Sequence, residues 1–253
     1  MIMDPEKLKH GYAFPGNNGY LVICIHGFGG TPAEHYLTAC ALNQAGYSVS
    51  VPLLKGHGTT MEEWDHSHWK DWTGTIEEEY AKQKGAYKGV YFCGLSMGGL
   101  LTLYMAEHHP EIKAISLMAP ALIYKNKSAY FAPLALPFKR HLPYGDNFPG
   151  LKDEFRPLLQ QGYGMSSVPA AVEMTKLQSN VKRNLRRIKQ PLIIYQSDAD
   201  TLVDPKTENY VLNHVSSEEK TGVRFAKSSH VMSLDSDRES IFWSTIAFFR
   251  KHQ

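Results

Sequence analysis

Short runs of apolar residues alternate along the chain with longer segments in which apolar residues recur every three or four positions. The run Tyr20–Ile25 is apolar throughout, which is typical of a strand buried on both faces of a sheet. Similar runs predict further strands at 47–51, 89–93, 112–118, 191–196 and 223–226. The intervening segments predict helices at 31–46, 67–84, 97–109, 205–213 and 237–251. This alternation predicts an α/β protein with a mostly parallel sheet and helices on both faces.

The helix after the first strand carries residues that are typical of a helix start. Thr31 is a common helix cap, Pro32 suits the first helical position, and Glu34 completes a capping box with Thr31. In the next predicted helix, Trp69 and Trp72 recur at helical spacing. This spacing favours a place in the core over an exposed aromatic platform.

The alternation stops between residues 119 and 190, where seven prolines fall and the apolar residues have no clear period. Only the end of this segment predicts a regular element, a basic helix at 178–189 with Val181, Leu185 and Ile188 on one side. We interpret 119–190 as an inserted cap. Residues 1–118 and 191–253 then form the core domain.

Composition excludes several functional classes. The 253 residues carry 27 Lys and Arg against 25 Asp and Glu, so a strongly basic nucleic-acid-binding protein is excluded. No apolar run reaches the roughly 18 residues of a membrane span, and no signal-peptide core follows the start, so we expect a cytoplasmic protein without integral membrane contact. Three cysteines without close spacing argue against a disulfide framework and against a zinc site. We expect a monomer or a homodimer.

The strongest chemical signal is Gly94-Leu95-Ser96-Met97-Gly98, which matches the G-x-S-x-G nucleophile elbow. A predicted strand precedes the motif and a predicted helix follows it, as the elbow requires. In that turn the serine adopts a strained backbone, and the flanking glycines avoid clashes. Ser96 is therefore the candidate nucleophile, at the carboxyl edge of the sheet where ligands bind.

A second glycine-rich segment, His26–Gly30, directly follows the first strand. It lacks the G-x-G-x-x-G pattern and the Gly-Lys-Ser/Thr of a phosphate-binding loop. Acyl transfer needs two N–H donors for the oxyanion, one from the residue after the nucleophile and one from such a loop. We assign these donors to Met97 and Phe28. Gly27 and Gly29 are expected to let substrate approach the backbone.

A serine nucleophile needs a base, and the base needs a carboxylate behind it. His230 lies in the loop after the last predicted strand, where the base of such a fold belongs. The acid belongs in the loop after the preceding strand, which holds Asp198, Asp200 and Asp204. Asp204 precedes Pro205 and a predicted helix, so it is expected to cap that helix. Asp200 is favoured by its reach towards His230, and Asp198 stays an alternative.

These motifs together resemble the α/β-hydrolase superfamily, and most closely its small bacterial carboxylesterases and monoacylglycerol lipases, which are related to cinnamoyl and feruloyl esterases. The resemblance lies in His26–Gly30, Gly94–Gly99, Asp200–Pro205 and Ser228–His230, and in the P-x-L-x-G-H-G pattern of Pro52–Gly58. It implies that Asp200 is the acid, although Ser197 replaces the family's usual glycine before it. It also implies a cap over the site, with Leu122, Tyr124 and Phe131 among the residues of an acyl pocket.

We therefore expect a serine ester hydrolase with a Ser96-His230-Asp200 triad, acting on small-molecule esters with short- to medium-chain acyl groups. No cofactor and no metal are implied. A monoacylglycerol lipase and a cinnamoyl or feruloyl esterase are alternatives within this class. Thioesterases, acyltransferases, C–C bond hydrolases and peptidases use the same triad, and the fold also supports non-catalytic ligand receptors.

Overall fold

The computed structural model describes residues 4–143, 151, 153–159 and 162–253. Its strands are β1 Tyr12–Phe14, β2 Tyr20–Ile25, β3 Ser48–Val51, β4 Gly89–Leu95, β5 Ile115–Met118, β6 His141–Pro143, β7 Met165–Ser167, β8 Leu192–Ser197 and β9 Lys220–Phe225. Its α-helices are α1 Pro5–Leu8, α2 Tyr36–Gln44, α3 Met61–Asp65, α4 Trp69–Gln83, α5 Met97–His108, α6 Ala132–Ala135, α7 Arg156–Leu159, α8 Val168–Asn184, α9 Lys206–His214 and α10 Arg238–Lys251.

Seven strands form one sheet in the order β1-β3-β2-β4-β5-β8-β9. All neighbouring pairs are parallel except β1 and β3, which are antiparallel. Because parallel strands share one direction, the loops that follow β2, β4, β8 and β9 meet at the same edge of the sheet. The predicted chemistry-bearing segments all lie in these four loops.

Alternate side chains of the central strands enter two separate hydrophobic layers. Leu21, Ile23 and Ile25 of β2 lie in the layer formed with α4, α5 and α8. Val22 and Cys24 lie in the opposite layer, formed with α2 and α10. Burial on both faces explains why these strands read as continuous apolar runs rather than as alternating ones. The predicted α/β architecture is therefore confirmed.

Trp64 and Trp72 are fully buried and Trp69 packs partly buried against the same layer, as expected for core residues. Near the sheet edge, Trp64 stacks on Tyr163 with ring centroids 4.6 Å apart. Tyr163 also donates a hydrogen bond to the Gly56 carbonyl. These contacts attach the segment between β5 and β8 to the loop that follows β3.

Three local predictions were wrong. The helix predicted at 178–189 begins ten residues earlier, at Val168, because the Ser167 hydroxyl caps it and Pro169 lies in its first turn. The same segment also contains a two-stranded antiparallel sheet, β6–β7, where no strand was predicted. The third error is the capping box of Thr31: within the described residues the Thr31 hydroxyl has no hydrogen-bond partner, and Glu34 turns away from it.

Part of the predicted cap, at residues 144–150, 152 and 160–161, lies outside the described residues. Among the described helices, none is both long enough and apolar enough to cross a membrane.

Candidate active site

Ser96 stands at the turn between β4 and α5 with φ 56° and ψ −113°. A positive φ is unfavourable for a residue with a side chain, so surrounding contacts must hold it. The Ser96 N–H donates to the Met118 carbonyl at 2.9 Å, and the Ser96 carbonyl accepts from the Gly99 and Ala121 amides. The backbone is thus fixed at both its N–H and its C=O, and Ser96 adopts the strained turn that the motif predicts.

Two glycines of the motif are required by close packing. A Cβ on Gly98 would lie 1.9 Å from the carbonyl oxygen of Ile25, at the end of β2. A Cβ on Gly94 would lie 2.2 Å from the Gly98 carbonyl oxygen. Both obstacles are backbone atoms, which cannot rotate away. The first turn of α5 therefore lies directly against the ends of β2 and β4.

The structure brings Ser96, His230 and Asp200 into one hydrogen-bonded chain. Ser96 Oγ donates to His230 Nε2 at 2.8 Å, and His230 Nδ1 donates to Asp200 Oδ2, also at 2.8 Å. This tautomer leaves Nε2 free to accept the serine proton. Ser96 is 7% exposed, His230 5% and Asp200 0%. The arrangement is that of a nucleophile, a general base and an orienting acid.

Of the two aspartates left open by the residues alone, Asp200 is the one that contacts His230. Its other oxygen, Oδ1, accepts from the Leu202 and Val203 amides at 2.8 and 3.0 Å. Asp198 is exposed and pairs with Arg224 at 3.2 Å instead. Asp204 Oδ1 accepts from the Lys206 amide at 3.0 Å, but the N-cap of α9 is Pro205, so the prediction that Asp204 caps this helix was wrong by one position.

The electrostatics of the pair favour the charged form of both groups. Burial raises the pKa of Asp200, but the charge and hydrogen bond of His230 and two backbone amides outweigh burial and hold this pKa below its usual value. Burial lowers the pKa of His230, but the charge and hydrogen bond of Asp200, with a further contribution from Glu34, raise it above its usual value. The imidazolium that forms when His230 takes a proton is therefore stabilised.

The His26 side chain fixes the first residues of the loop after β2. Leu54 N–H donates to His26 Nε2, so His26 carries its proton on Nδ1 and donates it to the Gly27 carbonyl at 2.9 Å. Because a trans peptide fixes its C=O and N–H in opposite directions, this bond also sets the direction of the Phe28 N–H. In the described part of the chain, the Phe28 and Met97 amides donate to no protein acceptor.

A cavity of about 770 Å³ opens at Ser96 and His230. Its walls come from the loop after β2, the elbow, the loop after β8, and the segment between β5 and β8. Helix α8 contributes Val168, Ala171 and Met174, which recur at a spacing of three along one face. Most of the lining is apolar, and this volume lies within the usual range of small-molecule sites.

The predicted pocket residues divide between the cavity and the core. Gly27, Gly29, Tyr124 and Phe131 line the cavity. Leu122 does not: it is fully buried in the layer formed with α4, α5 and α8.

Sequence reasoning missed Glu34 and the cavity-facing side of α8. The sequence does contain a signal for this side of α8, because small and apolar residues recur every three positions from Val168. The predicted helix began only at residue 178, so these residues were not recognised as one helix face.

Beneath the site, Cys24, Cys93 and His35 bring their side-chain ligand atoms within 4.8 Å of one another. Burial and the neighbouring Cys93 raise the pKa of the Cys24 thiol, so it stays protonated at neutral pH. A protonated thiol is a poor metal ligand. The cluster is accounted for as core packing, and the absence of a metal site stays a prediction.

Comparisons with known proteins agree with this geometry. The family model described as serine aminopeptidase S33, of the Hydrolase_4 family, matches residues 16–145 and 160–237. A thermostable monoacylglycerol lipase of Bacillus sp. (strain H-257) is 34% identical over 94% of both chains. A carboxylesterase of Bacillus subtilis is 26% identical over 91% of this chain and 92% of its own length. A solved structure from work on the metagenome-derived lipolytic enzymes LipS and LipT has a TM-score of 0.89 at 30% identity, over 97% of this chain and 98% of that one.

The contact of Gly98 with Ile25 predicts that Gly98→Ala destabilises the protein. The added methyl group meets backbone, so we expect a loss of about 1–3 kcal/mol in the free energy of unfolding. Gly74→Ala in α4 is the matched control, since nothing lies within 4 Å of its Cβ position. There alanine should add about 0.5–1 kcal/mol. Urea denaturation measures both, and equal stabilities of the two variants would contradict the packing argument.

The pairing of His230 with Asp200 predicts a titration midpoint for His230 above the ordinary value of about 6.5. Asp200→Asn removes the charge that stabilises the imidazolium, so the midpoint should fall by about 1–3 pH units. Nitrogen chemical shifts of the His230 ring, followed by NMR against pH, measure it. Asp198→Asn is the control and should leave the midpoint in place. An unchanged midpoint in Asp200→Asn would contradict the assignment of the acid.

Proposed function

The chain belongs to the Hydrolase_4 family, described as serine aminopeptidase S33, and we propose that it cleaves carboxylic esters through an acyl-enzyme on Ser96. It is an enzyme with the α/β-hydrolase fold, and its carboxylesterase and monoacylglycerol lipase relatives make ester hydrolysis its reaction class. The fold, the family and the class of reaction were all predicted from the sequence.

The observation that carries the mechanism is the unbroken hydrogen-bonded chain from Ser96 Oγ through His230 to Asp200. A ligand receptor has no need of a serine hydroxyl bonded to a deprotonated imidazole nitrogen. A nucleophile and its base do need that contact. This series of hydrogen bonds therefore favours an enzyme over a non-catalytic receptor on the same fold.

In the proposed reaction, His230 Nε2 takes the Ser96 proton as Oγ bonds to the ester carbonyl carbon. The carbonyl oxygen becomes an oxyanion, which the Phe28 and Met97 N–H groups stabilise. When the tetrahedral intermediate collapses, the bond to the alcohol oxygen breaks, and His230 returns its proton to the leaving alcohol. Water then attacks the acyl-enzyme with His230 as base again, releasing the acid and restoring Ser96. Asp200 orients His230 throughout.

For the substrate, we propose esters with short- to medium-chain acyl groups, and monoacylglycerols as the candidate within this class. The apolar cavity, with Val168, Ala171 and Met174 along one wall, supports an acyl chain. Asn126, Ser128 and Thr201 also line it and offer polar groups for a small alcohol such as glycerol. The relative with the highest identity among those compared above is a monoacylglycerol lipase.

We also propose a division into a catalytic core, residues 1–118 and 191–253, and a substrate-binding cap, residues 119–190. All seven strands of the main sheet lie outside 119–190, which supports this division, although α8 within that range packs in the same core layer as α4 and α5. We further propose that the protein is cytoplasmic, that it is a monomer or a homodimer, and that its binding partner is a small-molecule ester.

The mechanism predicts that Ser96→Ala lowers turnover of p-nitrophenyl esters by about a million-fold, because the proposed acyl-enzyme forms on the Ser96 hydroxyl. The measurement covers acyl chains from acetyl to palmitoyl, with a monoacylglycerol and alanine p-nitroanilide as further substrates. Ser179→Ala, on the exposed face of α8, is the control. Residual activity of more than a few percent in Ser96→Ala would overturn the mechanism. Faster cleavage of the anilide than of the esters would overturn the ester assignment.

The cavity wall predicts that Ala171→Phe shortens the preferred acyl chain. A phenyl ring on this face of α8 fills part of the cavity, so kcat/KM for decanoyl esters should fall at least about tenfold relative to acetyl esters. Ser179→Phe places the same ring on the solvent side of the same helix and should leave the ratio unchanged. If both variants keep the wild-type ratio, the acyl chain does not lie along α8.

A further inference from the structure

Glu34 is a buried acid beside the candidate nucleophile that the proposed mechanism does not use. The sequence pattern assigns it to a capping box with Thr31, but its carboxylate points the other way. Glu34 Oε2 accepts the Gly27 N–H at 2.9 Å, and Glu34 lines the cavity while being only 5% exposed. A carboxylate withdrawn from water in this way needs a reason in the site itself.

The same carboxylate lies against Gly30, at the other end of the glycine-rich loop. A Cβ on Gly30 would lie 2.0 Å from Glu34 Oε1, so only glycine leaves room for the acid there. The loop 27–30 therefore wraps around the Glu34 carboxyl group, bonded to it at Gly27 and in contact with it at Gly30. Movement of this loop would move the Phe28 amide, one of the two proposed oxyanion donors.

The backbone of Glu34 makes a second connection, to the loop that carries His230. Ser233 Oγ donates to the Glu34 carbonyl at 2.8 Å, and Ser233 is three residues from His230. Glu34 thus bridges the two loops whose relative position the reaction depends on.

We propose that Glu34 is a positioning residue for the proposed ester hydrolysis: its carboxylate holds the loop 27–30 in the oxyanion-binding geometry, and its charge supports the protonated form of His230. This inference rests on the proposed function. It assigns Glu34 no bond-making step, because the proton transfers remain with His230.

The titratable groups in and around the site fit this role. Burial raises the pKa of Glu34 to about 7, against the Gly27 N–H and the charge of His230, which lower it. Burial also lowers the pKa of His35 and His57 to about 4 and that of His26 well below its usual value, so these three imidazoles are neutral at pH 7. Across the site, Asp200 is held ionised. The one cation available to Glu34 among these neighbours is therefore the His230 imidazolium.

The experiment compares Glu34→Ala with Glu34→Gln, with active sites counted by a fluorophosphonate so that kcat refers to folded, reactive enzyme. Glu34→Ala removes the acceptor for Gly27 N–H, so kcat should fall roughly 10- to 100-fold while KM changes less than about threefold. Glu34→Gln keeps an acceptor oxygen of the same reach, so it should retain at least about a third of wild-type kcat at pH 8.

The pH profile separates positioning from mere stability. Without the Glu34 charge the His230 imidazolium is less favourable, so the acid limb of kcat/KM in Glu34→Gln should move to lower pH by about half a unit or more. Glu107→Gln is the control. The Glu107 side chain is also buried, but it lies at the end of α5 that is far from Ser96, where it pairs with Arg187. Its acid limb should coincide with that of the wild type.

Two results would overturn the inference: wild-type kcat per active site in Glu34→Ala, or an unmoved acid limb in Glu34→Gln. Either result obtained while Ser96→Ala is inactive rejects the role of Glu34 alone. If Ser96→Ala itself stays active, the proposed function fails instead.

Discussion

The contact between the start of α5 and the end of β2 is the constraint on which the whole site depends. Ser96 keeps a positive φ, a conformation that costs about 1–3 kcal/mol, because its N–H and C=O are both bonded and its glycine neighbours allow backbone to meet backbone. Once α5 lies against Ile25, the loop after β2 and the helix N-terminus must face each other. The proposed oxyanion site, with the Phe28 and Met97 amides as donors, then depends on this packing and on the hydrogen bonds that hold Gly27 to His26 and Glu34.

Electrostatic interactions then set the protonation of the groups that this packing brings together. Two buried carboxylates lie near one imidazole, and their surroundings separate their pKa values. Asp200 accepts two backbone N–H groups besides His230, and its pKa is lowered. Glu34 accepts one backbone N–H in a buried place, and its pKa is raised to about 7. An acid with a lowered pKa is suited to fixing the tautomer of His230, whereas an acid with a pKa near 7 changes its charge around neutral pH.

The parts of the structure that the sequence predicted well are those in which one strong local rule agrees with the topology. Strand β2 is buried on both faces and reads as a continuous apolar run, and the elbow motif lies between a strand and a helix. The loops that hold His230 and the acid follow from chain order, since only certain loops reach the carboxyl edge of a parallel sheet. Chain order left Asp198 open beside Asp200, and the reach towards His230 and the resemblance favoured Asp200. The late start predicted for α8 overlooked local signals, the Ser167 cap and Pro169 in the first turn. Another error arose where a distant contact overrode a local preference. Thr31 and Glu34 have the spacing of a capping box, yet the carboxylate gains a bond to Gly27 that no local pattern reveals.

The cavity shows why catalysis and substrate choice are separable in this fold. The proposed reacting groups stand on loops at the ends of parallel strands, whereas much of the cavity wall comes from α8 and the segment that follows β5. Changes at Val168, Ala171 or Met174 alter the shape of the wall without touching the bonds among Ser96, His230 and Asp200. The proposed cap joins the core between β5 and β8, and its helix α8 also packs in the layer that covers the sheet, so only its cavity-facing positions can change without disturbing the core. One arrangement of reacting groups can therefore be combined with different cavity walls, which is why the fold alone does not fix the substrate.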